Sequence, residues 1–264
     1  MGEAAPQRVV ILGAGRVATH LVPALVKVGV EVLHVWSRTE VAARHLAEPL
    51  GLPYTADLEA VATDADAYIV CVTDGALPEV AARIAGRVSR EALFLHTAGS
   101  IDMELWRHCG AEHYGILYPL QTFSKEREVD MREVSLFVEA SDEVALARVE
   151  ALARGLSGKV YRADSKLRAR LHIAAVFACN FTNAMYVVAH HLLKEDGIPF
   201  DVLLPLIDET ASKVHTLAPR DAQTGPAVRG DEAVMQSHLD ALTGDEELRE
   251  IYAKISNYIK KRNK

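Results

Sequence analysis

The sequence predicts an α/β domain followed by an all-helical one, on three observations. From residue 8 to about 162, short apolar runs alternate with helical patterns, which implies a parallel sheet covered on both faces. The first apolar run, 9–12, leads directly into Gly13-Ala14-Gly15-Arg16-Val17-Ala18 and then into a helical pattern. Beyond Ser165 no convincing strand occurs, and the helical run 167–195 is unusually long. The expected division is therefore 1–162 and 163–264.

In chain order, the strands are expected at 9–12, 32–36, 67–72, 93–96, 114–117, 135–138 and 159–161. Helical patterns fall between several of them, at Glu40–Ala47, Leu77–Ala85 and 144–156. After the long helix, which Gly197-Ile198-Pro199 ends, helices are expected at 201–215, 231–242 and 246–261. A loop rich in Pro, Gly and Arg, 218–230, separates the first two of these.

Gly13, Gly15 and Ala18 stand at the G-x-G-x-x-G/A spacing of a Rossmann dinucleotide-binding turn. Gly13 permits the tight turn, Gly15 lets the backbone approach a pyrophosphate, and Ala18 lets the helix pack on the sheet. The backbone N–H groups of Arg16 and Val17, at the helix N-terminus, face the phosphates. An NAD site usually carries an acidic residue at the end of the second strand. Here that strand ends in Val35-Trp36-Ser37-Arg38-Thr39, without a carboxylate. An arginine between two hydroxyls suits a 2′-phosphate, so the expected cofactor is NADP, held by Gly13, Gly15, Arg16, Val17, Ser37, Arg38 and Thr39. Ser37 and Thr39 could instead cap the next helix.

Composition narrows the remaining choices. Half of the 264 residues are hydrophobic and the formal charge is −7, which argues against nucleic acid as a partner. Three cysteines, Cys71, Cys109 and Cys179, without a CxxC pair, suggest a reducing compartment and no metal site. No apolar run reads as a membrane span and no signal peptide precedes the first strand, so a cytoplasmic protein without membrane contact is expected.

The N-terminal half resembles the NADP-binding domains of pyrroline-5-carboxylate reductase, ketopantoate reductase, the β-hydroxyacid dehydrogenases and the F420-dependent NADP oxidoreductases. The whole chain is similar to Rossmann-like NADP-dependent oxidoreductases with a C-terminal helical domain of unknown function. That resemblance rests on the glycine turn, Trp36-Ser37-Arg38, His96-Thr97-Ala98-Gly99-Ser100, Tyr118-Pro119-Leu120-Gln121-Thr122-Phe123, Ala174 to Phe181, and Thr224 to Asp231. It implies a helical domain like the C-terminal domains of the 6-phosphogluconate dehydrogenase superfamily, which often dimerise through a long helix. A homodimer is expected on that analogy.

Ligands of open α/β sheets sit beyond the carboxyl ends of the strands. Val72 and Thr73 follow the third expected strand and would pass the cofactor, although Thr73 and Asp74 could simply cap a helix. His96 to Ser100 resembles the hydroxyl-rich substrate loop of the β-hydroxyacid dehydrogenases, which makes His96 and Ser100 candidates for substrate binding. Gln121 could face the same pocket, the alternative for its segment being a rigid X-Pro turn. In the loop before residue 231, Arg229 could clamp an anionic substrate or pair locally with Asp231.

On an ideal α-helix His172, Asn180, Asn183 and His190 fall within about 80° of one another, a polar stripe on an apolar helix. His172 and Asn180 stand about 12 Å apart, so they cannot grip one small group together. Related dehydrogenases carry a proton-donating lysine on this helix; here Lys166 points to another face, and His172 or His96 is the alternative acid. His172, Asn180 and Asn183 are thus the candidate catalytic residues. The expected activity is hydride transfer between NADP(H) and a small carbonyl, imine or hydroxy acid, with a ketopantoate-like oxo acid as a first substrate to try. The alternative is a non-catalytic NADP(H) sensor. F420–NADP exchange is weakened because nothing marks a deazaflavin pocket.

Overall fold

The computed structural model describes residues 5–262. Its first half alternates strands and helices: β1 Arg8–Leu12, α1 Arg16–Lys27, β2 Glu31–Trp36, α2 Glu40–Ala47, β3 Tyr54–Thr55, β4 Ala67–Val70, α3 Leu77–Ala85, β5 Leu93–His96, α4 Glu104–His108 and β6 His113–Leu120. There follow β7 Ser135–Ala140, α5 Glu143–Leu156 and β8 Val160–Arg162. The strand order is β3-β2-β1-β4-β5-β6-β7-β8, so the direction of progression reverses between β1 and β4. That reversal is where doubly wound sheets bind ligands.

The patterning follows from double-sided burial. Val9, Val10, Ile11 and Leu12 are all fully buried, because a central parallel strand is covered on both faces. Val9 and Ile11 pack with Leu21, Val22 and Leu25 of α1 and Val149 of α5. Val10 and Leu12 turn to the opposite face, with Val80 and Ile84 of α3 and Trp106 of α4.

The sheet departs from the all-parallel expectation at one joint: β7 runs antiparallel to β6. β6 also reaches further than the expected 114–117, so Tyr118 and Pro119 lie on the strand and not in a turn after it. Its pairing with β5 ends at Ile116, whereas its pairing with β7 runs to Leu120. Pro119 thus sits where β6 has become an edge on its β5 side, a position at which a missing N–H is tolerated. The two-residue strand β3 escaped the sequence pattern, being too short to show a period.

From Ser165 the chain is helical: α6 Ser165–Ala175, a π-helical segment Val176–Phe181, α7 Thr182–Glu195, α8 Leu204–Lys213, α9 Pro226–Arg229, α10 Glu232–Ala241 and α11 Glu246–Arg262. The short α9 lies inside the expected loop. The sheet ends at Arg162, where strand patterns are expected to give way to helices, but the division into compact units falls after Asn183. Arg168 explains the difference. Its guanidinium is 1% exposed, pairs with Glu139 of β7, and donates to the Ile101 carbonyl at 2.6 Å, fastening α6 to the sheet.

The expectation that no run reads as a membrane span does not hold. Ser165–Glu195 is a continuous 31-residue helix of mean hydropathy 1.4 over its most apolar window, none of which is buried, so one stretch does have the length and composition of a membrane span.

Candidate functional site

The candidate cofactor cradle lies at the carboxyl ends of β1 and β4. Gly13 has φ +125°, and a Cβ there would lie 2.6 Å from the Cys71 carbonyl oxygen. Only glycine allows both the turn and the close approach of β4. The Gly13 N–H donates to the Trp36 carbonyl at 2.8 Å and the Cys71 N–H to the Leu12 carbonyl at 2.7 Å, so three strand ends are tied to one turn. α1 opens at Gly15 with no side-chain cap and no acidic residue in its first turn. Its free N–H groups and positive dipole end, including those of Arg16 and Val17, fit a pyrophosphate.

Arg38 lies just past β2, exposed and without an ion pair or hydrogen bond among the described residues. Neither Ser37 nor Thr39 is spent as a cap: α2 begins at Thr39 with no side-chain cap hydrogen bond. A free guanidinium flanked by two free hydroxyls suits a phosphate on the ribose.

The next loops are stitched together. Val72 is half-buried and Thr73 exposed, and the Thr73 carbonyl, not its hydroxyl, accepts from Ala76 and Leu77 at the start of α3. α3 has no side-chain cap either, which removes the capping role for Thr73 and Asp74. Asp74 instead accepts a hydrogen bond from Ser100, joining the loop after β4 to the loop after β5. Cys71 is buried beside Thr97; burial pushes its thiol up to about 12 although a hydrogen bond with Thr97 opposes this, so it is no nucleophile.

His96 does not reach a substrate in this structure. It is fully buried, its Nδ1 accepts from the Ala98 N–H at 3.2 Å, and its Nε2 has no hydrogen-bond partner among the described residues. Burial, then the nearby Arg168 charge, lowers it to about 4, so it is neutral at physiological pH. Gln121 is exposed, but its side-chain oxygen accepts from the Thr122 N–H at 2.8 Å, closing its own turn.

His172 is brought to the same edge of the sheet by a contact the sequence reading missed. Its Nδ1 lies 3.1 Å from the Tyr118 hydroxyl. A Cβ on Gly99 would lie 2.7 Å from His172 Nδ1 and 2.9 Å from Tyr118 Cζ. The two rings thus close over the bare Cα of Gly99, which explains that glycine without any unusual backbone angle. The clue in the sequence is Tyr118 itself, which stands in the segment where Gln121 is the candidate and a rigid X-Pro turn the alternative.

The polar stripe does not survive in the form expected. The π-helical segment takes in an extra residue per hydrogen-bonded turn, so positions counted at 100° on either side of it lose their phase. Asn180 lies within that segment and Asn183 just after it, both exposed. Arg229 belongs to the second unit, at the end of α9, and Asp231 is used to cap α10 through the Val234 N–H at 3.3 Å.

Two clefts lie elsewhere. One of about 710 Å³ is lined by the far side of α1 and the segment 125–132, and includes none of these candidates. One of about 300 Å³ belongs to the second unit, between Met185, Leu192, Leu248 and Ile255. Among the described residues, no three His, Cys, Asp or Glu side chains converge as a metal site.

Residues 8–98 match the family model for NADP oxidoreductase, coenzyme F420-dependent, and residues 134–259 match a domain of unknown function, DUF2520. The chain is 48% identical to a Bacteroides fragilis protein assigned as an NADP oxidoreductase, with a TM-score of 0.92 over 97% of this chain and 98% of that one. An imine reductase from Myxococcus stipitatus in complex with NADP+ is similar at TM-score 0.66 and 18% identity, over 97% of this chain and 92% of that one. A pyrroline-5-carboxylate reductase from Coxiella burnetii gives 0.57 and 16%, over 98% and 97%. At these lower identities the likeness is one of fold. No curated protein matches the sequence.

Proposed function

Because the chain belongs to the NADP oxidoreductase family that includes the Bacteroides fragilis protein, we propose that it transfers hydride between NADP(H) and a small carbonyl, imine or hydroxy acid. The observation that carries this reading is the crevice beyond β1 and β4. It combines a turn that admits no Cβ, a helix with uncapped N–H groups, and an unpartnered Arg38 at the end of β2. When bound, the cofactor supplies the hydride. Gly13, Gly15, Arg16 and Val17 hold its pyrophosphate, and Ser37, Arg38 and Thr39 its ribose phosphate. Val72 and Thr73 line its path, and His172 supplies the proton. Ser100, Asn180 and Asn183 are exposed polar groups of the same unit available to a substrate.

The active form we infer is a homodimer. Ile173, Phe177 and Phe181 on the long helix are 58%, 64% and 49% exposed, large apolar side chains grouped on one stretch of helix, as at protein–protein contacts. A second copy of the chain covers it. Three free thiols agree with a reducing, cytoplasmic setting.

Isothermal titration with NADPH and NADH, followed by NADPH-oxidation assays over 2-oxo acids and cyclic imines, tests the reading. Tight NADPH binding with no turnover across that panel would favour the sensor. Arg38→Asp should weaken NADPH by on the order of 10- to 100-fold, the worth of a charge-assisted hydrogen bond, and NADH far less. Equal losses for both would remove the NADP assignment.

A further inference from the structure

We propose that the proton is delivered by the phenol of Tyr118, with His172 behind it as the supply, the two side chains acting as one relay over Gly99. This rests on the hydride-transfer reading above and adds a catalytic residue to it.

The geometry is specific. Tyr118 projects from β6 two residues beyond Ile116, the partner of His96, which sets it level with the loop 97–100 at the carboxyl edge of the sheet. Tyr118 is 7% exposed, and among the described residues its hydroxyl has one hydrogen-bond partner, His172 Nδ1, which leaves its second hydrogen-bonding direction for a substrate. His172 is half-buried, and its Nε2 has no hydrogen-bond partner among the described residues. The pair therefore has a dry end and a wet end. Two charged groups act on the phenol from neighbouring elements. Burial raises its pKa most, Arg168 on α6 lowers it, and Asp74 after β4 raises it, with a net upward shift. The phenol stays protonated and ready to donate at neutral pH.

The chemistry balances as follows. As hydride reaches the carbon of a C=O or C=N group, the π-electron pair moves to the oxygen or nitrogen, which takes the Tyr118 proton. The Tyr118 oxygen takes the Nδ1 proton of the neutral His172 ring as the bare Nε2 takes a proton from solvent, and exchange with solvent returns the ring to its Nδ1–H form. His172 thus spares the site a buried phenolate, which would be costly beside so little water.

Two measurements on the full-length chain test this. In the first, ¹⁵N spectra of histidine-labelled protein are recorded with and without NADP+, and His172 is assigned by its loss in His172→Gln. Tyr118→Phe removes only the hydroxyl and should shift the His172 nitrogens, leaving the other rings in place. Gly99→Ala, whose methyl would stand against both rings, should do the same. Unmoved His172 signals in Tyr118→Phe overturn the proposal, whatever the activity.

The second measurement is turnover on the 2-oxo acid and cyclic imine panel. Tyr118→Phe should cut kcat on the order of 100-fold with NADPH affinity unchanged. His172→Ala should lose less, and added imidazole should restore part of its kcat. Unchanged kcat in Tyr118→Phe, or an unchanged His172→Ala, overturns the relay. If the wild type oxidises no NADPH although Tyr118→Phe moves the His172 signals, the hydride-transfer reading has failed, taking the relay with it while the ring pair stands.

Discussion

The two compact units differ in how they satisfy their apolar residues. In the first, every strand from β1 to β5 except the short β3 contributes side chains buried in two cores, one on each face of the sheet. In the second, only Ala227 and Met235 are buried among the described residues, while Val187, Val202, Leu206 and Tyr258 are all more than half exposed. A sheet with helices on both faces closes on itself. A set of helices of which so little is buried has apolar surface left for another molecule. The glycine turn lies among the buried strands of the first unit, whereas Ile173, Phe177 and Phe181, the face proposed for the dimer, stand on the helix with which that unit ends.

The largest expected effect is at the clasp that makes α6 part of the first unit. Arg168→Ala strands the Glu139 carboxylate, which also accepts from the Ser165 N–H at 3.0 Å and hydroxyl at 2.9 Å. Breaking a buried pair from one side costs roughly 3–5 kcal/mol. Thermal unfolding should move down by roughly 10 °C. A shift of only a degree or two would mean that α6 is not anchored there.

A comparable loss should follow acidification. In the unfolded chain His96 takes a proton near 6.5, whereas in the fold burial, chiefly, and the Arg168 charge hold it at about 4. Between those values the unfolded state binds more protons, so stability falls as pH drops below about 6.5 and the loss levels off below about 4. The full amount is roughly 3 kcal/mol. Asp142, where burial is outweighed by hydrogen bonds from Ala145, His113 and Ser141, sits at about 2 and adds its loss only below the ordinary carboxylate range. Urea unfolding at a series of pH values compares the wild type with His96→Phe. Equal slopes between pH 6.5 and 4 in both proteins would remove His96 as the cause.

The smallest effect on the fold, and the sharpest on assembly, is expected from Phe177→Glu. Phe177 is 64% exposed, so the fold within one chain should lose little, whereas a charge on the shared face should dissociate the dimer. Light scattering after size exclusion would report it. A wild type that is already monomeric, or a variant that stays dimeric, removes the dimer assignment of the face that carries Phe177, the exposed apolar face by which the first unit departs from its otherwise buried pattern.

Much of this was legible in the residues. Strand β1, the glycine turn and the uncapped helix after it are local patterns, and so were Arg38 and the absence of a carboxylate beside it. Local signals also located the helical half, since apolar periodicity needs no partner to be seen. What escaped had no local signature. The π-helical segment breaks a period that counting at 100° assumes to be constant. Pro119 reads as a turn unless one knows that the pairing of β6 with β5 stops at Ile116. His96, polar in a substrate-like loop, proves to be sealed in the core.

The sequence by itself determined the kind of molecule: a dinucleotide domain, a preference for a 2′-phosphate, and a helical continuation. Those depend on residues adjacent in the chain, where backbone geometry and hydrophobic period act directly. The tertiary structure alone decided which polar groups meet. Tyr118 and His172 are 54 residues apart, and Arg168 and Glu139 are 29 apart. Their pairing depends on strand order, on where β6 ends, and on the space left by the missing side chain of Gly99.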